Sequence, residues 1–249
     1  MPEPVIGVVG AGRLGGAIRR LAAAEGHTVR VYDPHDPGSW YTAPIPDVVV
    51  DCSIAALVDK VAGLCDDLGL PLVECVSGLT PEQWERLSAL GERTAVVLAH
   101  NLSLGNYLQT RALRLVADIL VTMERAGLRG TMPEAAVLER HPVTKAHRPS
   151  TTAVALAEEW ARHTGSLAAD IASLRSGSAV SDHEIRLVWA EQALTFTHEV
   201  RFLDAAAVGA IGVAGWAVGR APGTYTVHEV FDDMLATMAG PVKKAEERW

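Results

Sequence analysis

The first hundred residues alternate short apolar runs with longer amphipathic stretches. Val5 to Val9 is a β-branched run that ends at Gly10, and Thr28 to Tyr32, Asp47 to Asp51, Leu72 to Val76 and Thr94 to Ala99 are runs of the same kind. Short, unalternated apolar runs suit strands buried on both faces, the pattern of a parallel sheet. Between them, apolar residues recur at helical spacing through Leu14, Ile18 and Leu21 until Gly26, then across Ala55 to Leu68 and Pro81 to Leu90. Pro81 suits a first helical turn, because its missing N–H would be unsatisfied there anyway. Pro34 to Pro46 is rich in turn residues and predicts a loop. Strands alternating with helices at this spacing predict an α/β fold: a Rossmann-type doubly wound parallel sheet, covered on both faces.

The rhythm changes near residues 101 to 106. Leu104 to Ala126 predicts one long amphipathic helix, followed by a strand at Ala135 to Glu139, a polar loop and a helix at Thr151 to His163. Ile185 to Trp189 and Ala193 to His198 pattern as an antiparallel hairpin. Asp204 to Val218 is a helix of small residues, and a last helix spans about His228 to Met238. The second half is therefore an α+β domain. The division predicted is residues 1–105 with 221–249 for the first domain and 106–220 for the second.

The first strand ends in Gly10-Ala11-Gly12-Arg13-Leu14-Gly15 and opens a helix, and the next strand closes on Asp33. Each part has a mechanical use in dinucleotide binding. Gly10 permits a tight turn, Gly12 lets backbone N–H groups approach a pyrophosphate, and Gly15 lets helix and strand pack closely. The helix start at Arg13 and Leu14 supplies partial positive charge, and Asp33 accepts from ribose hydroxyls. A glycine-rich turn without a ligand is the alternative, but the strand–glycine–helix–acid order favours the nucleotide. No Lys or Arg follows Asp33 closely to hold a 2′-phosphate. NADH is therefore expected over NADPH, with Arg13 and His35 leaving NADPH open.

Composition narrows the partners. The 249 residues are 49% hydrophobic and 21% charged, ordinary for a globular chain. Thirty acidic against 22 basic residues give a net charge of −8, which argues against general nucleic-acid or anionic-membrane binding. Three cysteines, Cys52, Cys65 and Cys75, lie in apolar runs without metal-ligand spacing; free thiols in a reducing compartment and no metal are expected. No signal-type segment or membrane-length apolar run is present, so a cytoplasmic chain is expected.

A second constellation follows the Ala135 strand. His141, Lys145, His147 and Arg148 precede a helix with Ser150 as its expected N-cap. Exposed helix N–H groups beside cations make a carboxylate site, and a His with a Lys suits proton donation to a substrate accepting hydride. On its own the segment reads more readily as a solvated basic loop capping a helix.

The stretch Glu139 to Ala153 resembles the signature of the dihydrodipicolinate reductase family, E-x-H-H-x-x-K-x-D-A-P-S-G-T-A. Further landmarks follow in the family's order: Asp51-Cys52-Ser53, Val76-Ser77-Gly78, Asn101 to Gly105, Arg175-Ser176-Gly177, His183, the run from His198 to Trp216, and Pro222-Gly223-Thr224-Tyr225 as the closing turn. The resemblance implies a dinucleotide-binding domain plus a mixed-sheet domain that binds substrate and builds a homo-oligomer, a tetramer or dimer. It implies His141 as general acid and Lys145 as the lysine that assists proton transfer and binds substrate. Ser150, Thr151 and Thr152, with Arg148, would clamp a carboxylate. Ser53, Ser77 and Gly78 would meet the nicotinamide half, and Asn101 would lie at a cofactor-side hinge.

The departures are specific. Pro142 stands for the second His, His147 for the Asp, Arg148 for the Ala, Thr151 for the Gly of S-G-T, and Cys75 for another Gly. The hydride-transfer residues are kept while the clamp is rewritten. The reading is an NAD(P)H reductase of a conjugated C=N or C=C bond in a small carboxylated, nitrogen-containing substrate, in a specialised pathway. The first alternative is the authentic 4-hydroxy-tetrahydrodipicolinate reductase of lysine biosynthesis. The second is a non-catalytic nucleotide-binding sensor or partner protein, which leaves the joint survival of His141, Lys145 and the clamp helix unexplained.

Overall fold

The computed structural model describes residues 3–177 and 181–238. The closing Lys243 to Arg248, expected as a solvated helical tail, lies outside them. Among the described residues, ten strands and seven α-helices fall in the order β1 (Ile6–Val9), α1 (Arg13–Ala24), β2 (Val29–Tyr32), β3 (Val48–Asp51), α2 (Val58–Leu68), β4 (Leu72–Glu74), α3 (Pro81–Gly91), β5 (Ala95–Leu98) and α4 (Leu104–Arg125). Then come β6 (Glu134–His141), α5 (Thr151–Thr164), β7 (Asp170–Arg175), β8 (Ser181–Val188), β9 (Ala193–Val200), α6 (Asp204–Ala217), β10 (Gly223–Thr226) and α7 (Val227–Met238). The chain divides into two compact units. One holds the described residues up to 99, except 16–21, and those from 210 onward; the other holds 100–209 with 16–21.

In the first unit six strands form one parallel sheet in the order β10-β5-β4-β3-β1-β2. This is the Rossmann-type α/β sheet predicted from the apolar runs. Val48, Val49, Val50, Leu72, Val96 and Val97 are all fully buried, as strands covered on both faces require. Helix α3 starts with Pro81 and a capping box, in which Thr80 and Gln83 satisfy each other's backbone N–H. Two local expectations change. The Pro34–Pro46 loop contains a short 3₁₀ turn at Pro37–Tyr41 that buries Trp40, whose indole N–H donates to the Asp33 carbonyl. Pro222 to Tyr225 is not only a turn: Gly223–Thr226 forms the edge strand β10, paired to β5, and α7 packs against it.

The second unit is built on a mixed four-stranded sheet, β7-β6-β8-β9, with β6–β7 parallel and β6–β8 and β8–β9 antiparallel. The predicted hairpin is β8–β9, longer than its apolar pattern suggested. Helices α4 and α5 pack on each other, and α5 on the sheet. The core joins Leu113, Ala117 and Leu120 of α4, Leu156 and Trp160 of α5, and Ala135, Val137, Ile185 and Leu187 of the sheet. The strand predicted to end at Glu139 runs on to His141, so that residue belongs to a strand end and not to the loop.

Candidate active site

The glycine loop has the shape that a dinucleotide cradle needs. Gly10 has φ 102°, in the left-handed region, and a Cβ there would lie 2.6 Å from the Cys52 carbonyl oxygen. A Cβ at Gly15 would lie 2.2 Å from the Gly10 oxygen, so only glycine lets the first turn of α1 sit against the loop. Above Gly12 a Cβ would meet nothing within 4 Å, which leaves its backbone open to an approaching phosphate. Arg13 is exposed at the start of α1, and Leu14 is half-buried behind it. Asp33 is exposed at the end of β2, where one carboxylate oxygen accepts from the His35 N–H at 2.8 Å. The loop, the helix start and the exposed acid together fit a nicotinamide dinucleotide.

Two buried acids support the neighbouring loops. Asp51 and Glu74 are register partners at the ends of β3 and β4. Asp51 accepts from the Ser53 N–H at 2.9 Å, and Glu74 from the Val76 N–H at 2.8 Å. These bonds hold Ser53 and the segment that leads to exposed Ser77 and Gly78. Burial first, and then the charge of Asp51, push Glu74 up to about 9, while burial pushes Asp51 up to about 6. The pair keeps a proton at neutral pH.

In the second unit, one face of the sheet changes character along its strands. Ala135, Val137, Glu139 and His141 alternate inward on β6, Ile171, Ser173 and Arg175 on β7, and Leu187, Ile185 and His183 on β8. The register sets Ser173, Glu139 and His183 in one row and His141 beside Arg175 in the next. The apolar core thus gives way to a buried polar cluster. Ser150 caps α5 by accepting from the Ala153 N–H at 3.3 Å, and contacts His183 Nε2 through its hydroxyl at 3.1 Å. Its own N–H donates to Glu139 Oε2 at 3.1 Å.

Glu139 is the centre of this cluster and is fully buried. Oε1 accepts from Ser173 Oγ at 2.6 Å and Arg175 Nη2 at 2.9 Å, and Oε2 lies 3.3 Å from His141 Nδ1. Burial alone would raise its pKa, but the hydrogen bonds from Ser150, Ser173 and Arg175 outweigh it and hold it at about 2. Burial lowers His141, with Glu139 opposing and Arg175 and Lys145 adding to the depression. His183 falls to about 4, by burial first and His141 second, so it is neutral at pH 7. Ligand atoms of Glu139, His141 and His183 lie within 4.8 Å of one another, close enough to hold a cation. The Arg175 guanidinium already supplies a positive charge to that carboxylate.

The structure brings His141, Ser150 and Thr152 together in the buried region and leaves Lys145 half-exposed on the adjoining loop. Thr151, His147 and Arg148 are exposed. Asn101 has a job within its own unit: its amide donates to Thr152 Oγ1 at 3.3 Å and its oxygen accepts from Ser103. Gly105 is required because a Cβ there would lie 2.5 Å from the His198 ring. Glu139, Ser173, Arg175 and His183 received no role from sequence reasoning. The one available signal was that Glu139, Arg175 and His183 stand at motif positions.

Family models described as dihydrodipicolinate reductase, N-terminus and C-terminus, match residues 5–102 and 111–231. The 4-hydroxy-tetrahydrodipicolinate reductase of Stenotrophomonas maltophilia is 31% identical over 235 residues, covering 88% of this chain and 93% of its own. That of Xanthomonas euvesicatoria pv. vesicatoria is 31% identical over 238 residues, with the same 88% and 93% coverage. Among solved structures, dipicolinate-bound dihydrodipicolinate reductase from Paenisporosarcina sp. TG-14 superposes with a TM-score of 0.68 over 91% of this chain and 98% of that one, at 17% identity. An amine dehydrogenase from Mycobacterium smegmatis shares the fold at a TM-score of 0.55 and 12% identity, over 91% and 95% of the two chains.

Proposed function

This chain belongs to the dihydrodipicolinate reductase family, and from that premise we propose that it reduces a conjugated C=N or C=C bond of a small carboxylated, nitrogen-containing substrate, with NADH as the favoured donor. The observation that carries the reading is the buried His141–Glu139 contact at 3.3 Å, set beside the capped N-terminus of α5. Gly10, Gly12, Arg13, Leu14 and Gly15 would hold the pyrophosphate, Asp33 the ribose, and Ser53, Ser77 and Gly78 the nicotinamide half. Bound there, the nicotinamide supplies hydride to the unsaturated carbon. His141 delivers the balancing proton from Nε2, the ring nitrogen opposite the one facing Glu139. Lys145 offers an ammonium to the substrate carboxylate and to the developing charge. The N–H groups at the start of α5, with Arg148, receive a carboxylate. Residues 1–105 with 221–249 serve as the nucleotide domain and 106–220 as the substrate domain, which also carries the contacts of a homotetramer or dimer.

The altered clamp favours a substrate other than the lysine-pathway heterocycle. Thr151 adds a methyl and a hydroxyl where the family pattern has glycine, and Pro142 removes a side chain able to meet a carboxylate. Losing one charge-assisted hydrogen bond costs about 1.5–3 kcal/mol, roughly tenfold to over a hundredfold. NADH consumption with freshly generated 4-hydroxy-tetrahydrodipicolinate should therefore be weak or absent, and a panel of cyclic imines and unsaturated dicarboxylates should contain a better substrate. A kcat/KM of about 10⁴ M⁻¹s⁻¹ or more on the lysine-pathway compound would establish the authentic reductase instead. Lys145→Ala should abolish reduction of the true substrate, and full activity in that variant would remove Lys145 from the site.

Cofactor preference follows from Asp33, which accepts from a ribose diol and repels a 2′-phosphate. Calorimetric titration should show NADH binding more tightly than NADPH. A tenfold preference for NADPH would mean that Arg13 or His35 overrides the acid.

A further inference from the structure

The hydrogen bonds of Glu139 and Arg175 reach more of the site than their own strands. Besides its bond to Glu139, Arg175 donates from Nε to the Lys145 carbonyl at 2.8 Å and from Nη2 to the His147 carbonyl at 2.5 Å. Glu139 in turn faces His141 Nδ1 and accepts from the N–H of Ser150, the N-cap of α5. Both side chains are buried, the guanidinium to within 2% of full cover. One ion pair therefore touches the proton donor, the lysine loop and the start of α5.

We propose that Glu139 and Arg175 are positioning residues that set the spacing between the proton donor and the lysine. The carboxylate lies 3.3 Å from His141 Nδ1 without a hydrogen bond, and its charge favours a proton on that nitrogen; Nε2 then carries the proton that the imidazolium passes to the substrate, and the guanidinium holds residues 145–147 by their carbonyls. An anion beside the second ring nitrogen biases the tautomer towards a proton on that side. Guanidinium suits the other task, because its planar fork spreads its donors over separate nitrogens and so reaches a carboxylate and two carbonyls that three donors on a single ammonium nitrogen would not span. His183 assists by holding the Ser150 hydroxyl while carrying no charge of its own. The charged and titratable groups that act on His141 are Glu139 on its own strand, Arg175 on β7, Lys145 on the loop, and Asp182 and His183 on β8. Among them Glu139 is the nearest anion.

The proposal rests on the reading of His141 as the acid, and its test separates the two. Long-range ¹H–¹⁵N correlation on the wild-type protein at pH 7 should show His141 as the Nδ1–H tautomer. An Nε2–H tautomer overturns the assignment without any variant having to fold. In steady-state NADH oxidation, with the panel compound of highest rate, kcat/KM falls as pH rises through the His141 pKa. Glu139→Gln removes the stabilising anion, so that limb should move down by at least half a pH unit, and kcat should drop tenfold or more. Glu139→Asp should recover part of both. Arg175→Lys keeps the charge but loses the fork. It should raise KM fivefold or more, with the limb unmoved. A Glu139→Gln limb at the wild-type pH, or an unchanged KM in Arg175→Lys, overturns the positioning role. If His141→Asn keeps full activity, the acid assignment itself fails. If His141→Asn is inactive while Glu139→Gln behaves as wild type, only the positioning role fails.

Discussion

At position 151 a threonine starts the clamp helix with its side chain exposed, and the cap beneath it is intact: Ser150 accepts from the Ala153 N–H. The helix therefore has no structural need for the threonine methyl or hydroxyl, and both add bulk at the helix start proposed to receive a carboxylate. Thr151→Gly should raise kcat/KM for 4-hydroxy-tetrahydrodipicolinate about tenfold, by freeing one charge-assisted contact. The change costs helix stability only about 0.5 kcal/mol. Steady-state kinetics and a thermal melt measure both effects, and an unchanged kcat/KM would return the specificity difference to Pro142 or Arg148. His141, Lys145 and Ser150 were legible through the family motif that they stand in, since residue type alone also fits a solvated basic loop capping a helix. Glu139 and Arg175 were not legible in the same way. Their contact spans 36 positions and exists only because β6 and β7 pair in parallel, which no local pattern announces.

Among the elements, the central strands were readable, and two of the four edge strands, β10 and β7, were not. β3 (VVVD) is fully buried and continuous in apolar residues, whereas β10 is Gly-Thr-Tyr-Thr and β7 is Asp-Ile-Ala-Ser-Leu-Arg, both alternating half-exposed and exposed positions. Edge strands are covered on fewer sides, so their sequences carry less apolar signal and resemble turns. The strand ends also conceal the Asp51–Glu74 pair, whose second oxygens, Oδ2 and Oε2, are buried without a bonded partner. The folded state holds Glu74 protonated up to about 9, well above its unfolded value near 4.5. Stability from that bound proton is complete below pH 4.5 and is lost progressively as pH rises through about 9. Urea unfolding of the wild type should therefore weaken steadily between pH 6 and 9, by at most about 1.4 kcal/mol per unit. Glu74→Gln supplies a permanent N–H donor towards Asp51 and keeps the acceptor for Val76, so its profile should be flat over that window. Parallel profiles for the two proteins would show that the pair does not share a proton.

Across the whole molecule the two rhythms seen in the sequence correspond to two sheets of different construction, one all-parallel and one mixed, each with its own apolar core. Overall order was legible because each sheet imposes its own period on the residues it buries. The residues proposed for the two parts of the reaction divide along the same line: the glycine loop, Asp33, Ser53 and Gly78 lie in the first unit, and His141, Lys145 and the start of α5 in the second. No helix among the described residues is long and apolar enough to cross a membrane. A ligand protects the backbone that it contacts and stabilises its folded state by about 2.7 kcal/mol at a hundredfold excess over Kd. Hydrogen exchange read by mass spectrometry should therefore show NADH slowing amides in residues 9–16, 51–55 and 75–79. The compound of highest rate from the cyclic imine and dicarboxylate panel should slow residues 141–153 instead. NADH protection centred on residues 139–175, with the glycine loop unchanged, would place the nucleotide on the wrong sheet and overturn the division of labour from which the reductase reading is built.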